Sequence, residues 1–398
     1  METRAILRHV DEVIRTVDGV AGRTADTRIA RSWARCARNY HLAPDHRRAP
    51  TVIEAGALRE RLQRHEELIG VAAAEVDLLY EQVAGSGYAL LLTDASGIIL
   101  CQRVDPTLGQ LFRGAGLLPG ADWSERSEGT NGIGTCLAEL KPVTVHRDEH
   151  FNSNHIGLSC SGALIRDPQD EVVAVLDASC VGSYDRRTSQ MHTMSLVNMS
   201  ALVIEKSLFM QRHRRGIVLR FHWRPEFVNL VNDGALALDR DGSVIAADRA
   251  ALALLGARAR SELIGRSIEQ VFAMRFEELK LYSDRAGTTV RPVRAIGMGH
   301  RYFVGVHDGA LPASAARHVP AAEENCVRPK DDSPREDRAP QPEPVADSAN
   351  SEHSALLAAI ERCRWNMTRA AAQLGISRNT LYRRIKQLGI PLPHARRS

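Results

Sequence analysis

Residues 366–390 read NMTRAAAQLGISRNTLYRRIKQLGI, and this stretch predicts two short helices that meet at a sharp corner. Asn366 is a residue type that caps a helix start, and Gly375 is the type at which a helix ends. Ser377 can cap the second helix. Three apolar residues of that helix follow at spacings of four and three and predict one buried stripe: Leu381, Ile385 and Leu388. A helix-turn-helix is the expected structure.

The other face of the second predicted helix is basic, as expected of a helix that enters the major groove of DNA. Arg378 and Asn379 are residue types that read guanine and adenine. The basic residues further along the helix suit phosphates. We therefore predict contacts with double-stranded DNA from Arg378, Asn379, Thr380, Tyr382, Arg383, Arg384 and Lys386. The alternative is a solvated basic helix on a small bundle.

The stretch and the amphipathic helix predicted before it resemble the Fis-type DNA-binding domain that ends many bacterial enhancer-binding regulators. The resemblance covers about the last 45 residues of the chain. It implies a homodimer that presents two recognition helices to a roughly palindromic DNA site.

The charge of the 398-residue chain is unevenly distributed, and its length allows two or three domains. The net charge is +4, but residues 353–398 contain nine Lys or Arg and one Glu, which leaves about −4 for the remainder. A basic end on a mildly acidic body fits a DNA-binding module attached to something else. The seven cysteines form no CxxC pair, and no apolar run approaches the ~18 residues that span a membrane, so we expect a cytosolic protein without membrane contact.

The composition predicts a multidomain α+β chain with four regions. They are a large N-terminal region that begins with helices (1–220), a small α+β module (221–308), a linker (309–351) and the all-α helix-turn-helix (352–398). Seven of the 17 prolines fall between residues 307 and 351, among charged and small residues. Such a segment buries too little apolar surface to fold, so we predict a disordered tether.

The small α+β module is centred on residues 234–256, GALALDRDGSVIAADRAALALLG, which predict a strand, an Asp-Gly turn, a strand and a helix. Two further strands are expected before residue 308. This order resembles a PAS domain, with Asp248 at a position where many PAS domains have Asn. No cluster of His or Cys indicates haem or flavin, so no cofactor is predicted.

The large N-terminal region, residues 1–220, is predicted to contain helices and two hairpins. Residues 28–42 and 57–88 predict helices, and residues 89–102 and 163–179 each predict a strand-turn-strand. Residues 191–215 predict a last helix. Its apolar residues suit the seam of a parallel helix pair between two subunits, although they would also suit the core of one subunit: Leu196, Met199, Val203 and Met210.

Six segments of this region resemble, in order, the GAF-containing sensor half of acetoin-catabolism-type activators. They are RSWARC, VAGSGYALLLTDASG, SEGTNGIGTCLAE, HRDEHF, LSCSGALIRDP and VLDAS. The resemblance implies a GAF-like sensor that binds a small-molecule effector and controls transcription. It identifies neither the effector nor the regulated genes.

Activators of this type normally carry an ATPase motor that remodels RNA polymerase with sigma factor 54. The motor needs a GxxxxGK[ST] phosphate loop, and the sequence contains neither this motif nor a GAFTGA loop. We therefore expect no ATP hydrolysis and no catalytic residues. The chain could repress by occupying a DNA site, or activate by contacting RNA polymerase directly. It could also act on a motor-bearing relative by mixed oligomerisation.

The glycine-rich segment at residues 127–135 is the main candidate for effector binding. We predict ligand contacts from Thr130, Asn131, Cys136, Cys160 and Ser161. The alternatives are a phosphate cradle of backbone N–H groups or tight packing that the glycines permit. His146 and His150 have the spacing of a zinc pair only if they lie on a helix, and His155 or Cys160 could join them. Satisfied polar loop residues and buried thiols explain these positions better than metal ligands do, so no metal site is predicted.

Overall fold

The computed structural model describes residues 2–20, 26–46, 49–83, 85–182, 187–279 and 289–309, together with Leu374. Apart from their residues 309 and 374, the predicted linker and the predicted helix-turn-helix lie outside the described residues. The chain divides into two compact units, Met1–Arg328 and Pro329–Ser398, and the fold below is that of the first.

Helices and strands alternate irregularly along the first unit. The helices are α1 (Glu2–Val17), α2 (Thr27–Arg38), α3 (Ala55–Arg64), α4 (Glu66–Val83), α5 (Gly109–Gly114), α6 (Glu125–Glu128), α7 (Gly132–Glu139), α8 (Arg187–Arg212), α9 (Arg249–Leu254) and α10 (Ile268–Val271). The strands are β1 (Tyr88–Asp94), β2 (Ile99–Arg103), β3 (Val143–His146), β4 (Leu158–Arg166), β5 (Val172–Val181), β6 (Ile217–His222), β7 (Gly234–Leu238), β8 (Val244–Ala247), β9 (Arg291–Arg294) and β10 (Arg301–Asp308). Short 3-10 turns occur at Arg147–Glu149, Ser153–His155, Pro225–Phe227, Arg260–Glu262 and Phe276–Glu278.

The first sheet is antiparallel, in the order β2-β1-β5-β4-β3. Every residue of β1 is buried. Because successive strand residues point to opposite sides, both faces of the sheet are covered. Leu91 packs on one side with Trp33 of α2 and Trp123, whereas Leu90 packs on the other side with residues of α4 and α8. The sheet therefore lies between the α4–α8 pair and a layer that contains α2 and α7.

The second sheet is also antiparallel, in the order β8-β7-β6-β10-β9. One face packs on α9 and α10 around Phe221, Phe272 and Tyr302. Phe209, near the end of α8, packs against the other face beside Val218 of β6. Helix α8 consequently contacts both sheets.

The structure confirms a mixed α/β chain and both hairpins predicted in the large N-terminal region. The helix predicted over residues 57–88 is instead two helices, because His65 leaves the helical conformation between α3 and α4. Strand β6 was not predicted, and the boundary predicted at residue 220 falls inside it. Among the described residues, no helix is both long and apolar enough to span a membrane.

Candidate functional site

The glycine-rich segment forms the turn between α6 and α7, and Asn131 organises it. The Asn131 side-chain oxygen accepts hydrogen bonds from the backbone N–H groups of Ile133 (2.9 Å) and Gly134 (2.8 Å). Its amide donates to the carbonyls of Trp123 (3.0 Å) and Gly129 (2.8 Å). Asn131 is fully buried, and it acts as the N-cap of α7. Its polar atoms are thus occupied within the protein.

The glycines of this segment allow close packing. A Cβ atom on Gly134 would lie 2.3 Å from the backbone nitrogen of Glu125, and one on Gly132 would lie 2.4 Å from Oδ1 of Asp177. Gly129 has a φ of +71°, which glycine adopts without strain. The segment is therefore pressed against both α6 and the first sheet.

Hydrogen bonds between buried polar side chains connect helix α2 to this segment and to α6. Ser32 Oγ donates to Oε1 of Glu125 and lies within hydrogen-bond distance of Thr130 Oγ1, both at 2.6 Å. Arg35 donates from Nε and Nη2 to the two carboxylate oxygens of Glu125, at 3.0 and 2.9 Å. These bonds raise the pKa of Arg35, and Glu125 is only 3% exposed. Two segments that carry the resemblance, RSWARC and SEGTNGIGTCLAE, therefore contact each other directly.

The two predicted cysteines are buried on the same side of the first sheet. Burial raises the thiol pKa of Cys136 and that of Cys160 far above the ordinary value. Cys160 Sγ lies 3.4 Å from Nε2 of His150 and 3.1 Å from Ser179 Oγ. Burial also lowers the pKa of His150 to about 3, so the pair is a neutral thiol beside a neutral imidazole. Such thiols are inert while the protein is folded.

Ser161 lies on the opposite side of the first sheet from Cys160, as the alternation along β4 requires. Its hydroxyl donates to Oε1 of Gln190 on α8 (2.8 Å), and Gln190 donates to the hydroxyl of Tyr88 (2.9 Å). Four of the predicted ligand residues thus lie on one side of the first sheet: Thr130, Asn131, Cys136 and Cys160. The fifth, Ser161, lies on the other side.

Asp177 is a buried acid that the sequence reasoning missed. It lies on β5 and is fully buried. Oδ2 accepts a hydrogen bond from Ser179 Oγ at 2.6 Å, but Oδ1 has no hydrogen-bond partner. Burial raises its pKa from 3.8 to about 7. The available signal was one acid inside the apolar run VAVLDAS.

Each histidine of the HRDEHF region has its own hydrogen-bond or stacking partner, and the rings of His150 and His155 lie edge to face with centroids 6.1 Å apart. His146 Nδ1 contacts Ser159 Oγ at 2.9 Å, and Nδ1 of His150 contacts the carbonyl of Arg147 at 2.9 Å. His155 stacks on Trp123, and burial lowers its pKa to about 4. Across the described part of the chain, no group of three or more His, Cys, Asp or Glu side chains could hold a metal ion.

Two clefts are prominent in the first unit, and none of the five predicted ligand residues lines either of them. One, of about 670 Å³, is lined by residues of α1, α2 and the 147–149 turn, including His9, Trp33 and Arg187. The other, of about 290 Å³, lies between α8 and the start of α9.

One side of α8 leaves apolar side chains in solvent. Val197, Ala201 and Ile204 are buried against the first sheet. Leu196 is 37% exposed and Met199 is 54% exposed. They belong to the predicted intersubunit seam, whose other two residues, Val203 and Met210, are half-buried.

The predicted DNA-contacting side chains, Arg378 to Lys386, lie outside the described residues, so the structure does not position them. Their assignment stays a prediction from the sequence.

Comparison with known proteins indicates a class of transcriptional regulators. Residues 349–388 match the family "Bacterial regulatory protein, Fis family", and residues 10–197 match the N-terminal domain family of MimR. The homologues of this chain are transcriptional regulators of the acetoin-catabolism and MimR type, and its C-terminus carries a Fis-type helix-turn-helix.

Among the relatives is the acetoin catabolism regulatory protein of Cupriavidus necator, 33% identical over 308 residues, or 76% of this chain and 46% of that protein. The propane 2-monooxygenase operon transcriptional activator MimR of Mycolicibacterium smegmatis is 28% identical over 38% of this chain and 25% of that protein. The chain thus spans less than half the length of these relatives. The solved complex of E. coli DhaR(N) with DhaL has a TM-score of 0.43 at 14% identity, covering 71% of this chain and 99% of that one.

Proposed function

We propose that this chain is a bacterial, cytosolic, one-component transcriptional regulator. Its GAF-like first sheet and PAS-like second sheet receive a small-molecule signal, and its C-terminal helix-turn-helix binds specific DNA as a homodimer. The observation that carries the proposal is the pair of family matches, at residues 10–197 and 349–388. They associate a regulator's N-terminal domain with a DNA-binding domain in one chain.

The proposed function includes no ATPase activity. A nucleotide-driven motor needs a lysine-bearing phosphate loop. The glycine-rich segment lacks that lysine, and its glycines pack against Glu125 and Asp177. ATP turnover by the purified protein would contradict this part of the proposal.

The proposed dimer uses the exposed side of α8. Leu196 and Met199 follow the spacing of a coiled-coil seam, and removing them from water would favour association. We expect Met199→Glu to shift the purified protein from dimer to monomer in sedimentation equilibrium. The matched control is Met199→Leu, which keeps an apolar side chain at the same exposed position and should leave the protein dimeric. If both variants sediment as the native protein does, the seam lies elsewhere.

The DNA-binding function is tested by selecting genomic fragments with the purified full-length protein and reading the symmetry of the enriched sites. A shared palindromic motif is expected of an autonomous dimeric regulator. The second candidate is a sensory protein that acts by forming a mixed oligomer with a motor-bearing relative of the sigma-54 class. The absence of a GxxxxGK[ST] motif from the sequence favours this candidate, because the motor would then be supplied by the relative. Enrichment that requires such a relative would support the second candidate over the first.

A further inference from the structure

Two consecutive residues of α8 form ion pairs with two consecutive residues at the start of α9. Lys206 Nζ donates to Oδ2 of Asp248 at 2.5 Å, and Glu205 Oε1 accepts from Nη2 of Arg249 at 2.7 Å. The signs alternate, so each residue of one pair meets its opposite charge in the other. We call these four residues the α8–α9 clamp.

The Lys206 ammonium has three donors, and all three are used. Besides Asp248, it donates to the carbonyl oxygen of Asp233 (2.6 Å) and to its Oδ1 (2.8 Å). Asp233 is fully buried and is paired on its other side with Arg220 of β6, whose Nε lies 2.8 Å from Oδ2. A small rotation of α8 would break at least one of these bonds inside the protein, where an unpaired charge is costly.

Asp248 has a second role that explains why it is an acid and not the Asn found in many PAS domains. Its Oδ1 caps α9 by accepting from the N–H of Ala251 (2.7 Å) and also accepts from the N–H of Ala235 on β7 (3.0 Å). An Asn in this orientation would keep the cap oxygen but would direct its NH₂ group at the Lys206 ammonium. Only a carboxylate can cap the helix and accept from Lys206 together.

The clamp is also bonded to the first sheet. The backbone N–H of Arg166, the last residue of β4, donates to Oε1 of Glu205 at 2.9 Å. A continuous series of hydrogen bonds therefore runs from β4 through α8 to the start of α9 and on to β7.

We propose that the α8–α9 clamp transmits displacements of α8 to the second sheet, so that the two sheets respond to a signal as one coupled unit. The proposal rests on the proposed sensory function for its biological meaning. Its test involves no DNA, so the clamp and the DNA-binding function can fail independently.

The test perturbs α8 far from the clamp and measures amide hydrogen exchange by mass spectrometry in the full-length protein. Val197→Ala loosens a fully buried contact with the first sheet, about 13 Å along the helix from Lys206. The substitution is made in the native protein and in a variant whose clamp is replaced by Lys206→Met and Asp248→Asn. Met keeps the apolar stem of the lysine, and Asn keeps the oxygen that caps α9. Exchange is followed at pH 8, because burial raises the pKa of Glu205 to about 7.

With the clamp intact, we expect Val197→Ala to accelerate exchange of the α9 amides about fivefold. With the clamp replaced, we expect less than about twofold. Val13→Ala, a buried valine of α1, is the matched control and should leave α9 unchanged. Equal acceleration in both backgrounds, or none in the native background, would overturn the proposal.

A second comparison tests the proposal even if the double variant is less stable than the native protein. Asp248→Asn alone places an amide donor against the ammonium, so its α9 amides should exchange faster than those of the double variant. If adding Lys206→Met slows nothing, the two side chains are not coupled and the clamp does not operate.

Discussion

Arg35 of α2 and Glu125 at the start of α6, ninety residues apart in sequence, form a two-point ion pair in which the carboxylate is buried. A carboxylate in this position is stable only while its partner is present. Helix α2 is therefore bound to α6, which leads into the glycine-rich segment, by a charge pair and not by apolar contact alone.

Removal of Arg35 should destabilise the protein strongly. Arg35→Ala leaves the Glu125 carboxylate buried with Ser32 as its remaining side-chain donor, and we expect a loss of about 3–5 kcal/mol in the free energy of unfolding. Urea titration followed by the fluorescence of Trp33 and Trp123 measures it. The control, Arg31→Ala, removes a 63% exposed partner of Glu139 and should cost less than about 1 kcal/mol. Similar losses in both variants would show that burial of Glu125 is unimportant.

Asp177 should make stability depend on pH. Burial raises its pKa to about 7 in the folded state, above the 3.8 of an unfolded chain, so the folded protein binds the proton more tightly. Its contribution is greatest below pH 4 and is lost as the pH rises through 7, by up to about 4 kcal/mol. We expect the native protein to lose stability relative to Asp177→Asn between pH 4 and 8 in parallel urea titrations. Parallel pH profiles for the two proteins would show that this carboxyl has an ordinary pKa.

Gly134 should not tolerate a methyl group. In Gly134→Ala the new Cβ would meet the backbone of Glu125, and we expect a loss of about 1–3 kcal/mol despite the better helix propensity of alanine. Gly157→Ala is the control because no atom lies within 4 Å of its added Cβ. Thermal unfolding by circular dichroism compares them. An unchanged midpoint for Gly134→Ala would mean that α6 and α7 can separate at little cost.

Arg378 and Arg384 should differ in what they recognise. Arg378→Ala should cost about 1–3 kcal/mol of DNA binding and relax the preference at one base position. Arg384→Ala should weaken binding to all sequences and reduce the slope of the salt dependence by about one. Both are measured by fluorescence anisotropy on a selected site, its point variants and a salt series. A uniform loss for Arg378→Ala would reassign this residue to the phosphates.

The sequence was most informative where a structure depends on neighbouring residues. The hairpins β1–β2 and β4–β5 follow from apolar runs on either side of short polar turns, and both were predicted. The break at His65 was missed because both flanking segments have helical patterns and no proline or glycine separates them.

Structure that depends on distant residues was not predictable. Strand β6 pairs with β7, which follows it, and also with β10, more than 80 residues later, and no local pattern specifies the second partner. Likewise, the sequence indicated Thr130 and Asn131 as candidates for a site, but not that Ser32 and Arg35 would contact this segment. Packing within the protein accounts for the side-chain contacts of the four grouped residues, and their binding of an effector stays a prediction.

The central place of β6 has a consequence for isolating the second sheet. A fragment that began at residue 221 would keep only Phe221 and His222 of that strand. Strands β7 and β10, which normally both pair with β6, would then face each other across a gap with unpaired backbone groups. Such edges recruit strands from other molecules. Limited proteolysis that cuts within β6 should therefore yield a fragment that aggregates.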